Sequence, residues 1–125
     1  MTDQPKKKVL VVDDDEQFCT LLERFLTPTY TVELANNGQQ ALAAISKEAP
    51  AAVLTDIVMP VMDGVELLQK LRSNKATEHL PVIVLLGNAS EDDMSKVRNL
   101  KANLILAKEK MTRPGVEQAI ETVTA

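Results

Sequence analysis

Apolar positions recur along this chain in two alternating rhythms, and the alternation predicts the architecture. Val9–Val12 is an unbroken apolar quartet, the pattern of a strand covered on both faces. Beyond it Phe18, Leu21, Leu22, Phe25 and Leu26 fall at helical spacing and predict the buried stripe of a first helix, closed by Thr27-Pro28. Tyr30–Ala35 alternates Tyr30, Val32 and Leu34 with Thr31 and Glu33, which predicts a strand near a sheet edge. Asn36-Asn37-Gly38 marks a turn with Asn37 as N-cap, and Ala41, Leu42 and Ile45 predict the inner side of a second helix running to about Lys47, before Pro50.

The second half repeats the scheme. Ala51–Leu54 is an apolar run that delivers Asp56 to a strand end; Met59, Pro60, Asp63 and Gly64 then form a turn. Val65, Leu68 and Leu71 predict a third helix ending near Ser73-Asn74, and polar Lys75–Leu80 reads as a loop with an exposed His79. Pro81–Leu86 is another apolar strand, followed by Gly87, Asn88 and Ala89. Ser90 with Asp93 predicts a capping box for a fourth helix that turns Met94 and Val97 inward. Leu104–Ala107 is the last short strand, Lys108 stands at its end, and Thr112 caps a final helix burying Val116, Ala119, Ile120 and Val123. Five strands alternating with five helices predict an α/β fold: one doubly wound domain over residues 1–125, with a five-stranded parallel sheet and helices on both faces.

Composition narrows the function. Aromatic residues make up 2% of the 125 positions, so the core is aliphatic and neither base stacking nor an aromatic ligand cage is supported. A net charge of −4 argues against direct nucleic-acid binding, and the short run Lys6–Lys8 reads as a solvated flank. Cys19 is the single cysteine and is expected to be a plain thiol against the core. No apolar run reaches membrane-spanning length, and MTDQPKKK lacks the apolar segment of a signal peptide, so no membrane contact and a cytoplasmic location are expected.

In a parallel sheet the carboxyl ends of the strands share one edge, where such folds place ligands. That edge receives Asp13 and Asp14, Asp56, Leu86-Gly87 and Lys108. The acidic run Asp13–Glu16 also suits the positive end of a helix dipole, which accounts for one or two carboxylates but not four. Each like-charged pair at about 4 Å costs about 4 kcal/mol at an effective dielectric near 20. A divalent cation, a lysine partner or one protonated acid would relieve it. Hard oxygen ligands favour Mg²⁺ or Mn²⁺, and Lys108 offers a point charge suited to an oxyanion.

With these residues assembled, the chain resembles the receiver domain of two-component response regulators. The resemblance rests on Val9–Val12 with Asp13-Asp14, on Asp56 with Met59-Pro60 and Asp63-Gly64, on Pro81–Leu85, and on Ala102 through Lys108. It implies that Asp56 accepts a phosphoryl group from a histidine kinase or phosphotransfer protein. It implies that Asp14 binds Mg²⁺ directly, that Asp13 does so largely through water, and that Asp56 and the Val58 backbone carbonyl complete the protein ligands. Lys108 would pair with Asp56 and later with a phosphoryl oxygen. The surface of the fourth helix, fifth strand and fifth helix would meet a downstream target or output domain.

The chain also departs from the family's pattern. The switch hydroxyl at the end of the fourth strand falls on Leu86, its aromatic partner on Ile105, and the proline after the lysine on Glu109; Lys110 and Met111 are also unlike the common pattern. Leu86 cannot donate to a phosphoryl oxygen, and a hydrogen bond to a charged group contributes roughly 1.5–3 kcal/mol. Asn88 and Ser90 remain open as substitute donors. The expectation is an intact acceptor with a weakened or rewired conformational switch; the alternative is an interaction module that signals without phosphate. An aspartate-nucleophile phosphatase would want a second acid two residues after the nucleophile, where Val58 stands. Neither a G-x-x-x-x-G-K-S/T run nor G-x-G-x-x-G occurs, so a non-enzymatic signalling domain is expected.

Overall fold

Five parallel strands, β1 (Lys8–Val12), β2 (Thr31–Ala35), β3 (Ala52–Asp56), β4 (Val82–Leu86) and β5 (Leu104–Ala107), form one sheet in the order β2-β1-β3-β4-β5. The structure is a computed structural model and describes residues 5–125. The connecting helices are α1 (Glu16–Leu26), α2 (Gly38–Lys47), α3 (Gly64–Arg72), α4 (Glu91–Asn99) and α5 (Arg113–Thr124). The order is flavodoxin-like. The chain steps from β1 outward to β2, then returns to lay β3 on the other side of β1, and this reversal opens the crevice beyond the β1 and β3 ends.

Strand parity splits the core into two layers. Leu10, Val12, Val53, Val82 and Val84 face Ala41, Ile45, Leu67, Leu68, Leu71 and Val97 from α2, α3 and α4. Val9, Val11, Leu54, Ile83 and Leu85 face Cys19, Leu22, Leu26, Val116 and Ile120 from α1 and α5. Because both faces are covered, β1, β3 and β4 carry apolar side chains at nearly every position, which is why they read as unbroken runs. Side chains cap all five helices: Asp15, Asn37, Asp63, Ser90 and Thr112 each accept a hydrogen bond from a first-turn N–H.

Several local expectations need correction. The buried line of α1 runs through Cys19, Leu22 and Leu26, while Phe18 and Phe25 are half-buried and Leu21 is 38% exposed. The small thiol donates to the Asp13 carbonyl at 3.4 Å, which puts the Cys19 side of the first turn of α1, rather than the Leu21 side, against the end of β1. On α3, Leu67 joins Leu68 and Leu71 in the interior and Val65 is only half-buried. Lys8 is no solvated flank: it starts β1, with its ammonium 2.7 Å from Glu33 and 3.0 Å from Glu48. Pro81 precedes β4, and the Asn103 side chain accepts the Val82 N–H at 2.9 Å. After β5 the chain makes a short 3₁₀ turn, Lys108–Lys110, before α5.

Candidate functional site

β1 and β3 are hydrogen-bonded neighbours, so their ends bring Asp13-Asp14 and Asp56 together. The acidic run then divides its labour. Asp15 is the N-cap of α1, its Oδ1 accepting from Gln17 N–H at 3.0 Å and Phe18 N–H at 3.2 Å. Asp13 Oδ1 accepts the Asp15 N–H at 2.9 Å, which fixes the Asp13 carboxylate in the turn. One carboxylate oxygen from each of Asp13, Asp14 and Asp56 lies within 4.8 Å of the other two. Asp13 is fully buried and Asp56 nearly so, whereas Asp14 is exposed.

Lys108 enters from the end of β5. Its Nζ lies 2.6 Å from Asp13 Oδ2 and 3.1 Å from Asp56 Oδ2, so it bridges both acids rather than pairing with Asp56 alone. The shorter contact goes to the acid that water cannot reach. Burial pushes the Asp13 carboxyl above its ordinary pKa, and the Lys108 ammonium and the Asp15 N–H offset this only in part. Burial pulls the Lys108 ammonium down, but the Asp13 contact and the Asp56 and Asp13 charges outweigh it and leave the pKa raised. Lys108 is therefore a cation at neutral pH. Beneath it lies a contact that the sequence reading missed: the Phe18 ring, with its centroid 4.8 Å from Nζ. Phe18 follows Asp14 by one helical turn, but its apolar character pointed only to the core.

The residues fit a hard divalent cation. They offer three convergent carboxylates, two of them buried, with Asp13 Oδ2 held by the Lys108 ammonium at 2.6 Å and the exposed Asp14 left to face an incoming ion. Asp56 Oδ1 accepts the Ile57 N–H at 2.8 Å, holding its carboxylate in one orientation.

The β3–α3 loop is built tightly around this group. Gly64 N–H donates to the Ile57 carbonyl at 2.7 Å, and Asp63 caps α3 through Glu66 N–H at 2.9 Å. Val61 has φ 69°, rare for a β-branched residue, and the Met62 N–H returns to the Pro60 carbonyl at 2.8 Å, closing a γ-turn. The Met62 carbonyl accepts the Gly38 N–H at 2.9 Å and ties the loop to α2. Val58, on this loop, is 56% exposed. Leu86 and Ile105 are half-buried and pack against the α2–α3–α4 layer; in register Leu86 pairs with Ala107 and Ile105 with Val84. Neither side chain offers a donor.

Comparison with known proteins agrees with this geometry. Residues 9–120 match the family model described as response regulator receiver domain. The alkaline phosphatase synthesis transcriptional regulatory protein PhoP of Bacillus subtilis is 35% identical over 109 residues, 86% of this chain and 42% of the relative. A response regulator receiver domain protein from Methanospirillum hungatei superposes with a TM-score of 0.84 at 30% identity, covering 94% of each chain. The receiver domain of a sensor histidine kinase from Pseudomonas aeruginosa, solved with a magnesium ion coordinated in its active-site cleft, gives a TM-score of 0.86 at 25% identity over 95% of this chain and 98% of that one. The chain spans less than half the length of the curated relatives first matched, 21%, 7% and 42% of them. Among the described residues no helix is long and apolar enough to cross a membrane. By sequence match, sheet order and acidic cleft, the chain belongs to the response regulator receiver domain family of two-component phosphorelay signalling.

Proposed function

We propose that residues 1–125 act as one receiver domain in which Asp56 accepts a phosphoryl group from a phosphohistidine of a histidine kinase or phosphotransfer protein. The observation that carries this reading is the convergence of three carboxylates and Lys108 at the β1, β3 and β5 ends. An Asp56 oxygen forms the new bond to phosphorus as the bond to the donor nitrogen breaks. Asp13, Asp14, Asp56 and the Val58 backbone carbonyl would hold Mg²⁺ or Mn²⁺, which supplies neutralising charge at the phosphoryl oxygens. Lys108 exchanges its Asp56 contact for a phosphoryl oxygen and keeps its Asp13 contact. Asp13, fixed by the Asp15 N–H, holds Lys108 in place through the exchange. The domain is an acceptor without turnover chemistry of its own, acting in the cytoplasm, with its α4-β5-α5 surface turned to a protein target rather than to nucleic acid or membrane.

Leu86 and Ile105 shape the response. A phosphoryl group shifts a conformational equilibrium only through contacts that differ between two states. With aliphatic groups at both positions, the β4–α4 turn loses the hydroxyl contact that would report phosphate, so the switch is weakened or rewired. The same two residues favour the second reading, a receiver fold that signals without phosphate; the retained Asp13, Asp14, Asp56 and Lys108 oppose it. Incubation with acetyl phosphate and Mg²⁺ followed by intact-mass measurement separates them. The first reading expects a phosphoryl adduct on wild type and none on Asp56→Asn, and its absence from wild type with several donors would refute that reading.

A further inference from the structure

Both phenylalanines of this aromatic-poor chain lie on α1, seven residues apart and so on one face, and each lies beneath a cation from the stretch after β5. Phe18 faces Lys108 at 4.8 Å and Phe25 faces Arg113 at 5.9 Å. We propose that Phe18 is a positioning residue for Lys108, holding the ammonium where it can serve Asp13 and Asp56 together. This deepens the phosphoacceptor reading and rests on it for its kinetic consequence.

The surroundings of the lysine pull it unequally. Asp13 is fully buried and draws the ammonium to 2.6 Å, against 3.1 Å for Asp56. Left to these two acids, the cation gains most by collapsing onto Asp13, whose charge has no water. The lysine stem passes Gly87, where an added Cβ would touch Cδ at 3.5 Å, and then crosses the ring. The negative face of an aromatic ring attracts a cation without requiring an N–H aimed at a lone pair. Lys108 can thus be held from below while its three donors stay free for Asp13, Asp56 and, after transfer, a phosphoryl oxygen. A leucine at position 18 would keep an apolar side chain against the same layer, yet it would offer the ammonium nothing. That contrast separates a positioning role from simple core packing.

The test uses Phe18→Leu, Phe18→Tyr, Lys108→Met and the double variant Phe18→Leu/Lys108→Met. In urea unfolding, the Phe18→Leu and Lys108→Met effects should be coupled by roughly three- to twentyfold in the unfolding constant. Phe18→Tyr, which keeps the ring and so the contact, should combine additively with Lys108→Met in the double variant Phe18→Tyr/Lys108→Met. With acetyl phosphate and Mg²⁺, Phe18→Leu should form the adduct about three- to twentyfold more slowly, and Phe18→Tyr should restore the rate. Independent, additive effects of Phe18→Leu and Lys108→Met in unfolding would overturn the contact. Coupling in unfolding with an unchanged adduct rate would overturn the positioning role. If wild type takes up no phosphate, the phosphoacceptor reading and the kinetic role fall together, and the unfolding cycle alone decides whether the ring holds the lysine.

Discussion

Gly64 is pressed against the carbonyl of Asp56: a Cβ placed on it would overlap that oxygen and lie 2.9 Å from Ile57 Cα. Both obstacles are backbone, so no rotamer change makes room. Gly64→Ala must therefore push the first turn of α3 away from the end of β3. Overpacking of this kind costs about 1–3 kcal/mol, and displacement of the loop that carries Ile57 would disturb the carboxylate it orients. The expected outcome is a lower urea midpoint together with slower adduct formation at Asp56. A full wild-type midpoint would mean that the approach is looser than described.

Arg72 spends its guanidinium on the far end of the molecule. Nε donates to the Leu100 carbonyl at 3.1 Å, Nη1 to the Glu78 carbonyl at 3.1 Å and the Leu80 carbonyl at 2.8 Å, and Nη2 to the Lys101 carbonyl and the Asn103 side chain, each at 3.1 Å. The clasp joins α3 to the approach to β4 and to the α4–β5 turn, where Lys101 takes the left-handed conformation at φ 63°. A lysine is a point donor that cannot span this fork. Arg72→Lys should lower stability by about 1.5–3 kcal/mol, read from chemical denaturation. Amide exchange between residues 100 and 103 should quicken more than exchange in β1, and uniform change across the sheet would count against a local clasp.

Tyr30 gives a pH signature free of other chromophores, being the single tyrosine in a chain without tryptophan. Burial pushes its phenol pKa up, and Glu121 and Glu117 add to the rise. The folded state thus keeps this proton where the unfolded chain has lost it. Its stabilising effect is fully present below the ordinary phenol pKa of about 10 and is lost as pH climbs from there through the folded pKa. Tyrosinate absorbance should therefore rise at higher pH in the native protein than in urea. The thermal midpoint of wild type should fall more steeply above about pH 10 than that of Tyr30→Phe. Lys8 and Lys108, also raised, weaken both proteins in the same direction and drop out of the difference.

If the proposed weakening of the switch lies at Leu86, restoring a hydroxyl there should strengthen the response. Leu86→Thr returns a hydroxyl to the end of β4, where one hydrogen bond to a charged group is worth about 1.5–3 kcal/mol. Amide spectra recorded before and after phosphorylation should differ mainly near Asp56 in wild type and extend into α4 and β5 in Leu86→Thr. An extensive change already present in wild type would show that another donor does this work.

Much of the architecture was legible because a doubly wound sheet writes itself in uninterrupted apolar runs. The runs Val9–Val12, Ala51–Leu54 and Pro81–Leu86 mark β1, β3 and β4, whose side chains are almost all buried, and Asp13, Asp56 and Lys108 stand at the ends of β1, β3 and β5. Less legible was anything that depends on rotation or reach. The spacing of Phe18, Leu21 and Phe25 could not be told apart from that of Cys19, Leu22 and Leu26 until β1 and α5 were packed beneath the helix. Lys8 looked like part of a basic flank because its partners Glu33 and Glu48 lie far along the chain. The preference of Lys108 for Asp13 follows from burial, which no residue type declares, and Phe18 read as core although its ring faces a cation.

The central claim is that Asp56 takes the phosphoryl group in a site completed by a divalent cation. Peptide mapping of wild type after treatment with acetyl phosphate, with Mg²⁺ and again with the cation chelated, tests it most directly. The predicted result is one phosphorylated peptide, containing Asp56, formed with Mg²⁺ and largely lost without it. Phosphate on another residue, or an adduct indifferent to the cation, would contradict it.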